Sequence, residues 1–280
     1  LHPNGIDDLI LRRNAAAWDR LAAAAQPLAR PAVDAAFADP RSWLGTAGPP
    51  GRPWLPASLK GLEVLCLAAG GGKHGPLYAA AGGRVTVVDL SAAMLELDRQ
   101  VARERRLDLR LVQTSMDDLS MLSGGRYDLV IQPVSSCYLP RLNRLFAEVA
   151  RVTRPGGLYI SQHKSPASLQ AALEPNAAGH YELLHPLQDS ATGPRQPLPP
   201  AAASRLREAG TAEFVHSLGD LLGGICTAGF ALEDCWEPAE AEADASPGTY
   251  AHRARFLPPY LRLLARRQAA VQSQRPLLVQ

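Results

Sequence analysis

The sequence predicts an α/β protein with a mostly parallel sheet covered by helices on both faces, and three observations carry that prediction. Short apolar runs rich in branched residues alternate with helix-like segments from residue 62 onward. The first of these runs ends in a cluster of glycines, LCLAAGGGKHGP (65–76), and the second ends in an acid, Asp89. Strands buried on both faces read as continuous apolar runs, and a crossover between parallel strands needs a helix.

Taken in order, Ile6, Leu9, Ile10, Trp18 and Leu21, set among many alanines, read as one or two amphipathic helices over 6–29. Several Pro and Gly residues between Pro40 and Pro56, with Trp43 and Trp54 among them, predict an extended connector packed down by its two indoles. The main domain is expected from residue 59 to 280, preceded by an N-terminal unit over 1–58. LEVLCLA (62–68), RVTVVDL (84–90), DLRLVQT (108–114), YDLVIQP (127–133) and LYISQH (158–163) are the first five expected strands. A helix over 78–82 stops at Gly82 and Gly83, a second over 91–106 has Ser91 as its N-cap, and a third spans 140–152 before an RPGG turn. Residues 164–210 break the rhythm with many prolines and read as an insertion with little regular structure. Alternation then resumes with a helix over 216–230 bent at Gly223 and Gly224, a strand at ALEDCWE, and a last strand within 253–267.

With 280 residues, 46% of them hydrophobic, the chain can bury a sizeable core. Its net charge of +2 is small and its basic residues are dispersed, which argues against nucleic acid or an anionic membrane and for a small-molecule partner. Cys66, Cys137, Cys226 and Cys235 are far apart, so neither a metal site nor a disulfide framework is indicated. No apolar run suits a bilayer, and Asp7, Asp8, Arg12 and Arg13 interrupt the N-terminus, so a cytoplasmic protein is expected.

The glycine loop narrows the ligand. A nucleoside triphosphate loop would need G-x-x-x-x-G-K-[ST], but Leu67 and His74 occupy its first and last positions. Gly70, Gly72 and Gly75 do satisfy G-x-G-x-x-G, and with Asp89 they describe a site for an adenosine-bearing cofactor: bare backbone admits the ligand and the carboxylate accepts from a ribose diol. A nicotinamide dinucleotide and S-adenosylmethionine both fit that description.

The downstream phrases separate them. LEVLCLAAGGG, VTVVDLSAAML, LVQTSMDDL, YDLVIQPVSSCYLP and FAEVARVTRPGGLYIS, in that order, resemble the motif set of class I S-adenosylmethionine-dependent methyltransferases over roughly residues 62–162. The phrase EVARVTRPGG (148–157) is typical of the branch with small-molecule acceptors, and LCLAAGGGKHGP with HSLGDLLGGICTAGF resembles a poorly characterised bacterial subgroup whose loop reads L-A-S-G-G-G. The resemblance implies a Rossmann-like, seven-stranded sheet, S-adenosyl-L-methionine as cofactor, residues 1–58 as a helical cap, 164–210 as a substrate lid, and methyl transfer by in-line displacement.

Carried across by position, Ala68, Gly70 and Gly72 form the turn beside the methionine part of the cofactor, and Asp89, followed by Leu90, takes the ribose. Ser115 and Met116 fall where the family places an acid facing the adenine amine and an apolar residue near its ring, with Asp117 as a substitute acceptor. Cys66 stands where the family has an acid near the methionyl ammonium, and a backbone carbonyl or the side chain of Gln132 is the expected replacement. Trp18, Ser135 and Tyr138 are expected in the acceptor pocket, and His163, at the end of the fifth strand, is the expected general base. Lys73 and His74 are candidates for steering the cofactor carboxylate. Two other readings stand beside this one: a nicotinamide-dependent oxidoreductase using the same turn, and a non-catalytic module that binds the cofactor.

Overall fold

The computed structural model describes residues 5–44, 48–188, 195–200 and 206–269. Parts of the expected connector (45–47) and lid (189–194 and 201–205) lie outside the described residues. A helix α1 (Gly5–Ala23) is followed by a 3-10 turn (Pro27–Ala29) and two short helices, α2 (Asp34–Ala38) and α3 (Pro40–Leu44). Then come β1 (Glu63–Leu67), α4 (His74–Ala80), β2 (Arg84–Asp89), α5 (Ala92–Arg105), β3 (Leu109–Gln113), β4 (Tyr127–Gln132), α6 (Asn143–Val152) and β5 (Thr153–Lys164). The described part of the Pro-rich stretch holds α7 (Pro166–Gln170) and one isolated bridge, Ala171 to Leu183. A turn of π-helix (Gly219–Gly223), α8 (Gly224–Thr227), β6 (Phe230–Trp236), α9 (Tyr250–Arg253) and β7 (Tyr260–Arg267) complete the order.

The seven strands form one sheet in the order β3-β2-β1-β4-β5-β7-β6. All neighbours are parallel except β7, which runs antiparallel to both β5 and β6. Order reverses between β1 and β4, so the carboxyl ends of β1, β2 and β4 flank the crevice where open α/β sheets bind ligands. The central strands explain their unbroken apolar runs: Val64, Leu65, Cys66 and Leu67 are all buried. Leu65, Leu67, Val130 and Tyr159 join α6 and α8 residues on one face, while Val64, Cys66, Leu129 and Ile131 join Trp54, Leu59 and Tyr78 on the other. Each such side chain contributes about 1.5–3 kcal/mol on burial, which is how the sheet comes to fix the loops at its edge.

Several local expectations shift. Helix α4 begins at His74, not near residue 78, with Pro76 in its first turn where a missing N–H costs nothing. The RPGG stretch lies inside β5, as a register slip between the Tyr127–Thr153 and Leu129–Leu158 pairs, with Gly156 at φ 76°. Trp54 is buried and donates from Nε1 to Asp234 at 2.9 Å, but Trp43 is exposed, so one indole anchors the connector. The bend at Gly223 and Gly224 has a packing reason: a Cβ on Gly224 would sit 2.8 Å from the Phe146 ring. Ser91 does cap α5, accepting from the Met94 N–H at 3.1 Å. Asp19 of α1 adds a second acceptor there, taking the Ala93 N–H at 3.1 Å and the Ser91 hydroxyl at 2.5 Å, and so ties α1 to the same helix end.

Candidate functional site

A cavity of about 340 Å³ opens over the carboxyl ends of β1 to β4, lined in part by Leu11, Asn14 and Trp18 of α1. Its floor is the segment Ala68 to Gly70 after β1, its flanks are Asp89 and Leu90 after β2 and Thr114 to Met116 after β3, and Pro133 to Ser135 follow β4. Trp18 from α1 and Tyr138 from the 3-10 turn Ser136–Tyr138 close the far side, their rings edge to face with centroids 5.9 Å apart. Asn14 of α1 secures that wall by donating to the carbonyls of Tyr138 (3.1 Å) and Ala212 (3.2 Å).

The glycine turn is held by two acidic side chains. Asp89 accepts from the Gly70 N–H and the Ser91 N–H, each at 2.9 Å, through different oxygens. Asp98, fully buried on α5, accepts from the N–H groups of Gly71 (3.0 Å) and Gly72 (3.1 Å). Burial raises the Asp98 carboxyl to about 8 against the lowering effect of those two N–H groups. Burial also raises Asp89, again opposed by backbone donors. The backbone itself is unusual here: Ala68 lies at φ 49°, a left-handed conformation that costs a residue with Cβ about 1–2 kcal/mol.

Gly70 has room for no side chain, because a Cβ would stand 2.8 Å from Met94 Cβ and 3.0 Å from Asp89 Oδ2. What results is a strip of bare backbone beside a carboxylate, the shape and chemistry that receives a ribose and its substituents. On the other side of the turn His74 is pulled down to about 4 by burial, then by Lys73 and Arg262, and is neutral near pH 7. Burial, then Arg30, lowers Lys73, which donates to the Pro27 carbonyl at 3.1 Å.

Of the residues expected at the cofactor, Ala68, Gly70, Asp89, Leu90, Ser115 and Met116 line this one cavity, as do Trp18, Ser135 and Tyr138 from the expected acceptor pocket. Gly72 and Gln132 do not. The Gly72 α-carbon faces Pro31 and Val101 on the outer side of the turn. Gln132 is buried, donating to Ser135 Oγ at 2.9 Å and accepting from the Tyr159 hydroxyl.

His163 also departs from its expected place. It is fully buried, with Nδ1 2.7 Å from Ser136 Oγ and Nε2 2.8 Å from Ser161 Oγ. Burial, then His216, brings it down to about 3, so it is a neutral structural bridge between β5 and the turn after β4. Its neighbour Gln162 lines the cavity instead, because a strand's side chains alternate in direction. Cys66 is buried away from the cavity, its thiol raised by burial and then by Asp98.

Several lining residues carry no expectation from the sequence: Leu11, Asn14, Met94, Gln162, Glu208 and Tyr260. Asp98 had a signal that could have been read, since it stands at helical spacing between buried Met94 and Val101, a lone acid on an apolar face. Among the described residues there is no cluster of His, Cys, Asp and Glu suited to a metal, and no helix long and apolar enough to cross a membrane.

Comparison with known proteins agrees with this geometry. The model of the methyltransferase domain family matches residues 65–161. The uncharacterized methyltransferase YbaJ of Bacillus subtilis is 36% identical over 187 residues, which cover 66% of this chain and 71% of YbaJ. The ubiquinone/menaquinone biosynthesis C-methyltransferase UbiE of Methylobacterium nodulans is 29% identical over 202 residues, covering 66% of this chain and 77% of its own. A crystal structure of an S-adenosylmethionine-dependent methyltransferase from Mesorhizobium loti has the same fold, with a TM-score of 0.58 at 23% identity over 76% of this chain and 94% of that one. From motifs, sheet order and relatives together, the chain belongs to the class I S-adenosylmethionine-dependent methyltransferases.

Proposed function

We propose that this cavity binds S-adenosyl-L-methionine along the glycine turn and a small-molecule methyl acceptor against the Trp18–Tyr138 wall. The observation that carries the reading is the single cavity in which the bare turn, the Asp89 carboxylate and an aromatic wall meet. Asp89 would take the ribose hydroxyls, Leu90 and Met116 the faces of the adenine, and Ser115 its polar edge. The Ala68 to Gly70 backbone would run beside the methionine part, with Lys73 and His74 at that end. Bound there, the cofactor supplies a methyl group already activated by the positive charge on its sulfur, so transfer by in-line displacement asks the protein mainly for orientation and dryness. Holding two reactants in register is worth roughly 7–11 kcal/mol in favourable cases. Leu11, Asn14 and Trp18 of α1 act as a cap over the cavity, and the stretch around Glu208 as the inner edge of a lid.

The test is parallel calorimetric titration with S-adenosylhomocysteine, S-adenosylmethionine and NAD. Micromolar binding of the first two without NAD supports the reading. Binding of NAD alone, or of none of the three, contradicts it.

A further inference from the structure

Besides Asp89, the cavity is lined by a second carboxylate, of which the fold uses one oxygen. Glu208 lines the cavity, and its side chain is only 8% exposed. One oxygen, Oε2, is used twice, accepting from the Tyr138 hydroxyl and from Lys164 Nζ, each at 2.7 Å. Oε1 accepts no hydrogen bond from any described residue.

Around it the charges are balanced. Lys164 also reaches Glu213 at 2.8 Å, and Glu213 in turn pairs with Arg207 at 3.1 Å, so two acids face two bases. Glu213 Oε1 further accepts the Glu208 N–H at 3.3 Å, and Thr211 Oγ1 donates to the Glu208 carbonyl at 2.8 Å. Burial pulls the Lys164 ammonium down, but the neighbouring Cys137, Glu208 and Glu213 more than offset this and raise it, so Lys164 stays charged. Bracing of this kind needs one oxygen of Glu208. The other is left as a fixed acceptor in a cavity that Leu11, Trp18, Val134 and Leu139 also line, together with the polar Asn14, Gln162 and Tyr260.

We infer that Glu208 selects the methyl acceptor: it anchors an apolar, ring-bearing molecule through one hydroxyl or amine hydrogen and turns away carboxylates and phosphates. Once an acceptor has displaced water from Oε1, a hydrogen bond left unmade there is costly, and a carboxylate or phosphate oxygen, with no hydrogen to give, would set a second acceptor against it. Mostly apolar walls with a few placed polar groups are the usual makeup of such a site. The inference rests on the methyltransferase reading of the same cavity and goes beyond it by naming the acceptor's chemistry.

The experiment measures ligand-observed NMR binding of three probes of one shape to the full chain saturated with S-adenosylhomocysteine: 4-methylphenol, 4-methylanisole and 4-methylbenzoate. The expected result is at least tenfold tighter binding of the phenol than of the anisole, with the benzoate weakest. Glu208→Gln should shrink the preference for the phenol over the benzoate at least tenfold while leaving S-adenosylhomocysteine affinity within threefold. Equal affinities in the wild-type protein, tighter binding of the benzoate, or no binding of any probe would overturn the inference, whatever the variant does. Loss of S-adenosylhomocysteine binding by the wild-type protein would instead overturn the methyltransferase reading.

Discussion

Gly70→Ala is expected to abolish tight cofactor binding while leaving a folded protein. The added methyl would sit 2.8 Å from Met94 Cβ, 3.0 Å from Asp89 Oδ2 and 3.1 Å from Asp89 Cγ, whereas carbon contacts are at rest near 3.5–4.0 Å. Something must therefore move by more than half an ångström. Met94 is fixed on the first turn of α5, and Asp89 is held at its other oxygen by the Ser91 N–H at 2.9 Å, so the turn itself has to give. Moving it breaks the Gly70 N–H bond to Asp89, worth ~1.5–3 kcal/mol for a charged acceptor, and displaces the carboxylate from the position assigned to the ribose. Converted to affinity, that range is roughly 10- to 150-fold. Calorimetric titration with S-adenosylhomocysteine, with circular dichroism as a check on folding, reads the effect. A folded Gly70→Ala protein that binds within threefold of wild type would refute the role of the turn.

Three other perturbations follow from the same region. Ala68→Gly should stabilise the protein by ~1 kcal/mol in denaturant unfolding, because relief of a left-handed φ of 49° outweighs the entropy of an added glycine; a destabilised variant would contradict the strain argument. Asp98, raised to about 8 from an ordinary 3.8, holds a proton in the folded state that the unfolded chain releases. Its contribution to stability is therefore full below about pH 4 and lost as pH rises to 8, by up to ~1.4 kcal/mol per unit. Urea unfolding at pH 5 and pH 8 should show that loss in the wild type and a smaller one in Asp98→Asn, and equal slopes would remove Asp98 as its source. Lys164→Met leaves Glu208 and Glu213 facing each other without their shared cation and should cost ~3–5 kcal/mol; a loss under 1 kcal/mol would mean the network is not a brace.

The sheet was legible because its central strands are buried on both faces and so read as unbroken apolar runs, from LEVLCLA to LYISQH. The floor of the site was legible too, since glycines after β1 and an acid after β2 answer to backbone geometry, and Ser91 to the free N–H groups of α5. Side-chain direction was harder to read. In β5, buried on both faces, no alternation of polarity tells which residues face the cavity, and a shift of one residue put His163 where Gln162 lies. Glu208 was illegible for another reason: it sits in a stretch without periodicity, and its place depends on Lys164 and Tyr138, distant in sequence. Trp43 and Trp54 were indistinguishable by composition, and what sets Trp54 apart is its packing with residues of the sheet and its bond to Asp234, far along the chain on β6.

The central claim is that one cavity holds the cofactor by Asp89 and presents its methyl group to an acceptor beside Tyr138 and Glu208. A crystal structure of the S-adenosylhomocysteine complex tests it most directly. The account predicts both ribose hydroxyls within hydrogen-bond reach of Asp89, the adenine between Leu90 and Met116, and the sulfur directed toward the space bounded by Tyr138 and Glu208. Ribose contacts elsewhere, or a sulfur walled off from that space, would contradict it.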